Sequence, residues 1–383
     1  MKKIISRLTI LAIPLGILFG VFLPKFCLKI SFIGTIYINI LKFMVIPLIF
    51  LNISYTIYKA LTKKEKIITK SIGLFILMFV VTFLITSLII FIIKPNFTIN
   101  LENFKWDGES VDLNFTNIIT NIFPDNIISP FANNSLFTII LLALLFGYSS
   151  SKVKNIESVM EDINGLSEIF KKMLEIILYL NPLAAFTLIA SSVANYKLDI
   201  ILMGIKYILI AYLCSIIIMF IVMMLPVWIC KKINPITYIK NCGKVWLMTI
   251  TSCSSLATLP LTLKTCTDNF KIPKSKNDIV VSLGCAINFC GGAVSFAILG
   301  LLCSKMFGIE ISALNFVLML LTALVINMAA PGIPNGGVVI GATYLSLFKI
   351  PLDFIGFYSG LYKILDMAYT TFNVTGDITA SIL

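Results

Sequence analysis

Long apolar runs recur from one end of this chain to the other, and they restrict it to folds that a lipid bilayer can hold. Hydrophobic residues make up 58% of the sequence, and the mean hydropathy is +1.00, well above the values of soluble domains. A helix of about 20 apolar residues crosses the hydrocarbon core of a membrane. The sequence predicts an all-α membrane protein with eight transmembrane helices, near 8–24, 32–58, 72–94, 135–149, 173–195, 201–229, 278–304 and 350–383.

The net charge of +12 does not indicate nucleic-acid binding, because the basic residues are grouped between the apolar runs. If the spans alternate, these groups fall on one side of the membrane, and an excess of Lys and Arg in short loops marks the cytoplasmic face. We expect a multi-pass protein of the bacterial inner (plasma) membrane with both termini cytoplasmic and an extracytoplasmic loop at 95–134. The basic groups are 2–7, 59–70, 152–172, 231–244 and 264–276.

Histidine is absent from the sequence, and the nine cysteines form no CxxC pair. The absence of histidine excludes histidine-based metal sites and catalytic triads that contain histidine. No nucleophile–base pair and no cofactor motif is visible either. We therefore expect a protein that is not an enzyme and carries no covalently bound cofactor.

Two apolar segments are interrupted by small and helix-breaking residues, which predicts re-entrant helical hairpins at about 236–271 and 311–348. Their tips are Ser254 to Pro260 and Gly332 to Gly337. Each hairpin is followed by a helix with a polar break centred on an asparagine, Asn288 or Asn373. A repeated hairpin and broken helix is typical of secondary transporters with inverted repeats.

A polar stripe near the end of the chain indicates what such a transporter handles. Asp366, Thr370, Asn373 and Asp377 lie at i, i+4, i+7 and i+11, on one face of a helix. Charged residues at bilayer depth usually face a cavity, a partner or an ion. Asp366 is placed to meet an ammonium group, and Asp377 with Asn373 and Asn288 offers the oxygen ligands that a hard cation prefers.

With these motifs the chain resembles the dicarboxylate/amino-acid:cation symporters, the family of glutamate transporter homologues, over nearly its whole length. The last helix, from Ile350-Pro-Leu-Asp to Asn373-Val-Thr-Gly-Asp377, carries much of the resemblance. Ser254-Ser255 to Pro260 and Gly332-Ile-Pro-Asn-Gly-Gly337 are similar to the family's hairpin tips, and Met44-Val-Ile-Pro-Leu-Ile-Phe50 and Asn181-Pro-Leu-Ala-Ala-Phe186 match softer motifs.

The resemblance implies a homotrimer that works by an elevator mechanism. Residues 1–60 and 135–195 would form mainly the scaffold, and 68–94 and 201–383 the transport domain. Asp366 would bind the substrate's amino group, Asn373 with Ser255 its α-carboxylate, and sodium would be the coupling ion. The substrate-site candidates are Ser254, Ser255, Gly332, Pro334, Asp366, Tyr369, Thr370 and Asn373, and the sodium-site candidates are Gly284, Asn288, Asn373 and Asp377.

The chain departs from the family pattern where acidic substrates are recognised. Acidic-substrate members carry an arginine in the last helix or in the first hairpin, and here Tyr369 and Cys253 stand in those places. Arg7 is the only arginine of the chain, so a bidentate arginine–carboxylate contact cannot form in the site. Lys363 could substitute as a point charge, although we interpret it as a pairing or structural residue. We therefore expect a neutral amino acid, such as serine, alanine or cystine.

A second departure concerns the cation sites. Where the family usually has Asn-Met-Asp-Gly-Thr, this chain has Asn288-Phe-Cys290-Gly-Gly292. A neutral thiol cannot supply the charged oxygen ligand that sodium prefers, so we expect fewer cation sites and a reduced coupling stoichiometry.

Other functions stay open from the sequence. One is a dicarboxylate or acidic amino-acid symporter with altered recognition. Another is an uncoupled, channel-like pathway in the same fold, and a third is a degenerate family member without transport.

Overall fold

The computed structural model describes residues 2–62, 66–94, 125–132, 136–306, 311–328, 337–338, 341, 344–345 and 353–383. Within these ranges the chain consists of helices and short connections, and no strand occurs. This confirms the predicted all-α class. Most of the predicted extracytoplasmic loop and the predicted tip of the second hairpin, with Gly332 and Pro334, lie outside the described residues.

The described helices are numbered here in chain order. In the first half they are α1 (Lys2–Phe22), α2 (Pro24–Lys29), α3 (Ser31–Thr62), α4 (Lys66–Ile93), α5 (Ser129–Ala132), α6 (Leu136–Ser150), α7 (Glu157–Ile177) and α8 (Asn181–Ile218). In the second half they are α9 (Leu225–Lys231), α10 (Pro235–Ser252), α11 (Ser255–Asp268), α12 (Lys274–Ile287), α13 (Cys290–Met306), α14 (Ala313–Met328) and α15 (Asp353–Ile382).

Several of these helices are suited to a membrane. Among the described residues, three segments are long and apolar enough to cross a bilayer: Ile67–Ile93, Leu202–Lys231 and Lys274–Lys305. Leu11–Phe22 and Pro24–Tyr37 form one more candidate, bent by 115° at the start of α2. The apolar helices agree with a membrane protein, while the number of eight spans stays a prediction.

Helix α8 corrects one expectation. The apolar runs predicted separate helices at 173–195 and 201–229, but α8 continues from Asn181 to Ile218. Neither proline nor glycine lies between 195 and 201, so the polar residues there interrupt the hydropathy without interrupting the backbone. The helix changes only at Met219–Met224, a π-helical turn just before Pro226, whose missing N–H removes one helical hydrogen bond.

Helix α15 is the centre of the second half of the molecule. It packs against α8 and against α10 to α13, and every side chain from Tyr369 to Ile382 is buried. The predicted polar break at Asn373 to Asp377 is wrong, because α15 is continuous there. The hydroxyl groups of Thr371 and Thr375 donate to carbonyls one turn earlier, at 2.6 Å each, so the polar residues are accommodated without unwinding.

The first hairpin docks on α15 through side-chain hydrogen bonds. Helices α10 and α11 pack against each other and both contact α15, and they meet at Cys253 and Ser254. The bonds to α15 join Trp246 Nε1 to Thr375 Oγ1 (2.9 Å), the hydroxyls of Thr249 and Thr371 (2.7 Å), and those of Tyr238 and Thr379 (2.9 Å).

We expect Trp246→Phe to lower the stability of the protein by about 1 kcal/mol, because it removes one partly buried hydrogen bond to α15 and keeps an aromatic ring. Thermal unfolding of the purified protein in detergent measures this. Trp228, which is 47% exposed, provides the control: Trp228→Phe should leave the midpoint unchanged. An equal midpoint for both variants would show that the Trp246 bond contributes nothing to docking.

Candidate functional site

A break between α12 and α13 places Asn288 inside the protein. Its backbone is extended (φ −89°, ψ 106°), while its N–H still bonds to the Gly284 carbonyl at 2.7 Å. Helix α13 then begins at Cys290. The break therefore turns the Asn288 side chain away from the helical path and toward α15.

The four sodium-site candidates come together at this break. The Asn288 amide nitrogen donates to Asp377 Oδ1 and to the Asn373 carbonyl, both at 2.8 Å. Asp377 Oδ1 also lies directly against Cα of Gly284, where a β-carbon would overlap it. Carboxylate and carbonyl oxygens thus converge on a single point, which the Asn288 NH₂ group occupies.

Two glycines make this approach possible. A β-carbon at Gly376 would lie 2.5 Å from Asn288 Nδ2, and one at Gly284 would meet Asp377. Both residues are helical, so the lack of a side chain, rather than an unusual backbone angle, is what the site uses. Either alanine substitution would separate α12 from α15 at the point where the oxygens meet.

The orientation of the Asn288 amide is fixed from both ends. Its oxygen accepts a hydrogen bond from the Cys290 thiol at 2.9 Å, and its nitrogen faces the two oxygen acceptors. The opposite orientation would place three oxygens together, an arrangement that is stable only around a cation. The Asn288 nitrogen therefore stands where a cation would stand.

Asp377 depends on this amide. It is 2% exposed, and in the described part of the chain Asn288 is the one group that hydrogen-bonds to its side chain. A buried carboxylate without a positive partner is strongly unfavourable. The site therefore has the electrostatic character that attracts a cation.

Asp366, three helical turns before Asp377, lies in a separate polar environment. It is 7% exposed and accepts a hydrogen bond from the Thr370 hydroxyl at 3.0 Å. The rings of Tyr358 and Tyr362, with centroids 5.4 Å apart, lie close enough to interact with its charge. This surface of α15 offers a carboxylate beside aromatic rings and hydroxyl groups.

Tyr369 points into a cluster of tyrosines. Its ring lies 6.4 Å from that of Tyr362, and Tyr207 lies 6.1 Å from Tyr358. Within the part of the chain that the structure describes, the buried hydroxyls of Tyr207 and Tyr369 form no hydrogen bond. The position that would hold an arginine in acidic-substrate relatives is therefore enclosed by neutral rings.

The tip of the first hairpin faces α15 near Asp366. Cys253 adopts a left-handed conformation (φ 47°), which ends α10, and the Ser254 hydroxyl caps α11 by accepting from the Ala257 N–H at 3.3 Å. No hydrogen bond joins Ser254 or Ser255 to Asp366 or Asn373. The Asn373 amide oxygen instead accepts from the Gly291 N–H at 2.7 Å.

Sequence reasoning missed two features of this region. It did not identify the threonine ladder on α15 that receives the first hairpin, although Thr371, Thr375 and Thr379 recur every four residues. It also did not foresee that the Cys253 thiol lies close enough to Lys363 and Asp366 to interact with both charges.

Comparison with known proteins identifies the family. The sequence model of the sodium:dicarboxylate symporter family matches residues 5–383. A proton/glutamate-aspartate symporter of Bacillus subtilis is 25% identical, over 100% of this chain and 94% of that protein. A C4-dicarboxylate transport protein of Bordetella avium is 24% identical (98% and 86%), and an L-cystine uptake protein of Bacillus cereus is 25% identical (97% and 87%).

These relatives are bacterial transport proteins, which confirms the predictions of a membrane transporter and of a protein that is not an enzyme. The resemblance seen in the hairpin tips and the last helix extends over almost the entire sequence. The chain belongs to the sodium:dicarboxylate symporter family.

Proposed function

We propose that this protein is a sodium-coupled symporter that imports a neutral amino acid across the bacterial inner membrane. The observation that carries the proposal is the arrangement of two buried carboxylates on α15, Asp366 among tyrosines and Asp377 against the Asn288 amide. The first has the surroundings of an amine site, and the second those of a cation site.

The amine site is supported by the position of Asp366. A buried carboxylate that already accepts one hydroxyl hydrogen bond from Thr370 can accept further ones from a primary ammonium group. In a low-dielectric site such a bond is stronger than in water. The substrate therefore carries an amino group, which a plain dicarboxylate lacks.

The neutral side chain is supported by the surroundings of Tyr369. Its neighbours among the described residues include tyrosine rings, Cys214 and Ser295, and the only arginine of the chain, Arg7, is far away in sequence. Aromatic rings and hydroxyl groups accommodate small polar or apolar side chains, whereas a second carboxylate would be desolvated there without a partner.

The proposed cation site consists of Gly284, Asn288, Asn373 and Asp377, where a carboxylate and a backbone carbonyl meet. The number of cation sites is reduced, because the Cys290 thiol is a donor where sodium needs an oxygen ligand. The relatives' names include both proton and sodium symporters, and the oxygen-rich surroundings of Asp377 favour sodium.

The proposal extends to the assembly. Contacts between α1 and α8 and between α3 and α6 form one set, contacts of α15 with α10 to α13 form another, and α8, which crosses the proposed boundary at 195–201, contacts both α1 and α15. This supports a scaffold made mainly of 1–60 and 135–195 and a transport domain of 68–94 and 201–383. The protein works as a homotrimeric elevator with both termini in the cytoplasm.

An acidic amino acid is the second candidate substrate. The relatives include glutamate-aspartate symporters and C4-dicarboxylate transport proteins, and Lys363 is a buried cation close to Asp366. A lysine can bind a carboxylate as a point charge, although without the bidentate geometry of arginine.

Asp366→Asn should reduce amino-acid uptake into proteoliposomes by at least about 10-fold, because it removes a charge-assisted hydrogen bond to the ammonium group. The matched control is Asp268→Asn, since Asp268 is exposed at the end of α11, and it should transport normally. Full uptake by a folded Asp366→Asn variant would refute the amine site.

Cys290→Asp should make uptake depend more steeply on sodium concentration, because it restores a negatively charged oxygen ligand beside Asn288, which neither cysteine nor serine supplies. Cys290→Ser keeps a donor to the Asn288 oxygen and should behave like the wild type. The control at another buried cysteine is Cys303→Ser. An unchanged sodium dependence in the folded Cys290→Asp variant would contradict a missing cation site.

Asp377→Asn should abolish the stimulation of uptake by an imposed sodium gradient, because it removes the anionic ligand of the cation site. Flux of labelled substrate with and without the gradient measures this. Strictly downhill flux in the wild type would instead support the uncoupled, channel-like pathway.

A further inference from the structure

Lys363 is a lysine buried inside the protein. It lies on α15, three residues before Asp366, and is 4% exposed. Residues three apart on a helix are neighbours on its surface. One short stretch of α15 thus presents a positive and a negative group side by side.

The burial of this lysine is not explained by an ion pair. Between side chains that the structure describes, Lys171 and Glu168 form the only ion pair, at 2.8 Å, and Lys363 pairs with no described carboxylate. Removing an ammonium group from water without an anionic partner is strongly unfavourable. The described side chain that interacts with Lys363 is the Cys253 thiol, which is not a carboxylate.

The surroundings of Lys363 are those of an anion site. Its charge acts on the Cys253 thiol at the tip of the first hairpin. Directly after Cys253, α11 begins with the Ser254 cap, and the N-terminus of a helix of 14 residues carries a partial positive charge. The positive side chain of Lys363 on α15 and the positive end of α11 therefore both lie next to Cys253.

We propose that Lys363 is a specificity-determining residue that binds a carboxylate group of the substrate. The inference rests on the proposed function, since it takes the amino group to lie at Asp366. For a neutral amino acid the bound group is the α-carboxylate, so that α15 matches both charges of the zwitterion within one helical turn. For an acidic amino acid it is the side-chain carboxylate.

The proposal gives Lys363 a role that differs from that of the tyrosines. Tyr362 and Tyr369 shape the space for the substrate's side chain, whereas Lys363 binds one of the substrate's carboxylate groups. Lys363→Arg keeps the positive charge. Lys363→Met keeps most of the side chain's length and its apolar stem but removes the charge. The pair of variants therefore separates charge from packing.

Binding to the purified protein in nanodiscs, measured by calorimetry in sodium buffer, tests the proposal with serine, serinamide, aspartate, asparagine and succinate. Lys363→Met should weaken the binding of serine by at least about 10-fold, the effect of a lost charged hydrogen bond, and Lys363→Arg should largely restore it. Lys244→Met, at an exposed lysine of the same hairpin, should bind like the wild type.

The amides distinguish the two carboxylates. If Lys363 binds the α-carboxylate, the wild type binds serinamide weakly, and Lys363→Met changes that weak binding no further. If it binds the side-chain carboxylate, the wild type prefers aspartate to asparagine, and Lys363→Met removes that preference while serine binding stays the same. In that case the neutral substrate is refuted and the role of Lys363 stands.

Two results would overturn the proposal. One is unchanged binding of every ligand by a folded Lys363→Met variant. The other needs only the wild type: equal affinity for serine and serinamide together with equal affinity for aspartate and asparagine, which applies even if the variants do not fold. Binding of succinate but of no amino acid would refute the amine site instead, and the effect of Lys363→Met on succinate would still test Lys363.

Discussion

The contact between Asp377 and the Asn288 amide is the interaction on which the site depends. Asp377 is buried on the central helix, and a carboxylate in that position requires a donor or a cation. The break between α12 and α13 supplies this donor, the amide of Asn288. Gly284 and Gly376 allow α12 and α15 to approach each other closely at this point. The amide nitrogen lies where these oxygens meet, and the Cys290 thiol fixes the orientation of the amide by donating to its oxygen.

The second constraint is that α15 carries two different chemical environments. Around Asp377 the partners are amide and carbonyl groups, and around Asp366 they are a hydroxyl, aromatic rings and the wall that contains Lys363. The first hairpin is close to both, since its Cys253 interacts with Asp366 and its Cys266 with Asp377, and it is hydrogen-bonded to α15 at Thr371, Thr375 and Thr379.

The sequence was informative where chemistry and spacing act locally. The all-helical class follows from the apolar runs, and the break at Asn288 follows from the small and polar residues around it. The expected break in the last helix did not occur, because threonine hydroxyls can donate hydrogen bonds to carbonyl groups one turn earlier in the same helix. A hydropathy pattern does not reveal this. Likewise Lys197 and Asp199 lower the hydropathy of α8 without breaking it. The orientation of the Asn288 amide and the position of Lys363 beside Cys253 depend on packing between distant segments, so no local pattern could predict them.

The central claim is that an amino acid and a cation bind together on α15, and a thermal-shift screen of the purified protein tests it most directly. Ligands that bind the folded state raise the unfolding temperature by mass action. The account predicts that neutral amino acids such as serine, alanine or cystine stabilise the protein, and do so more strongly with sodium present. Equal stabilisation with and without sodium, or stabilisation by C4-dicarboxylates alone, would contradict it.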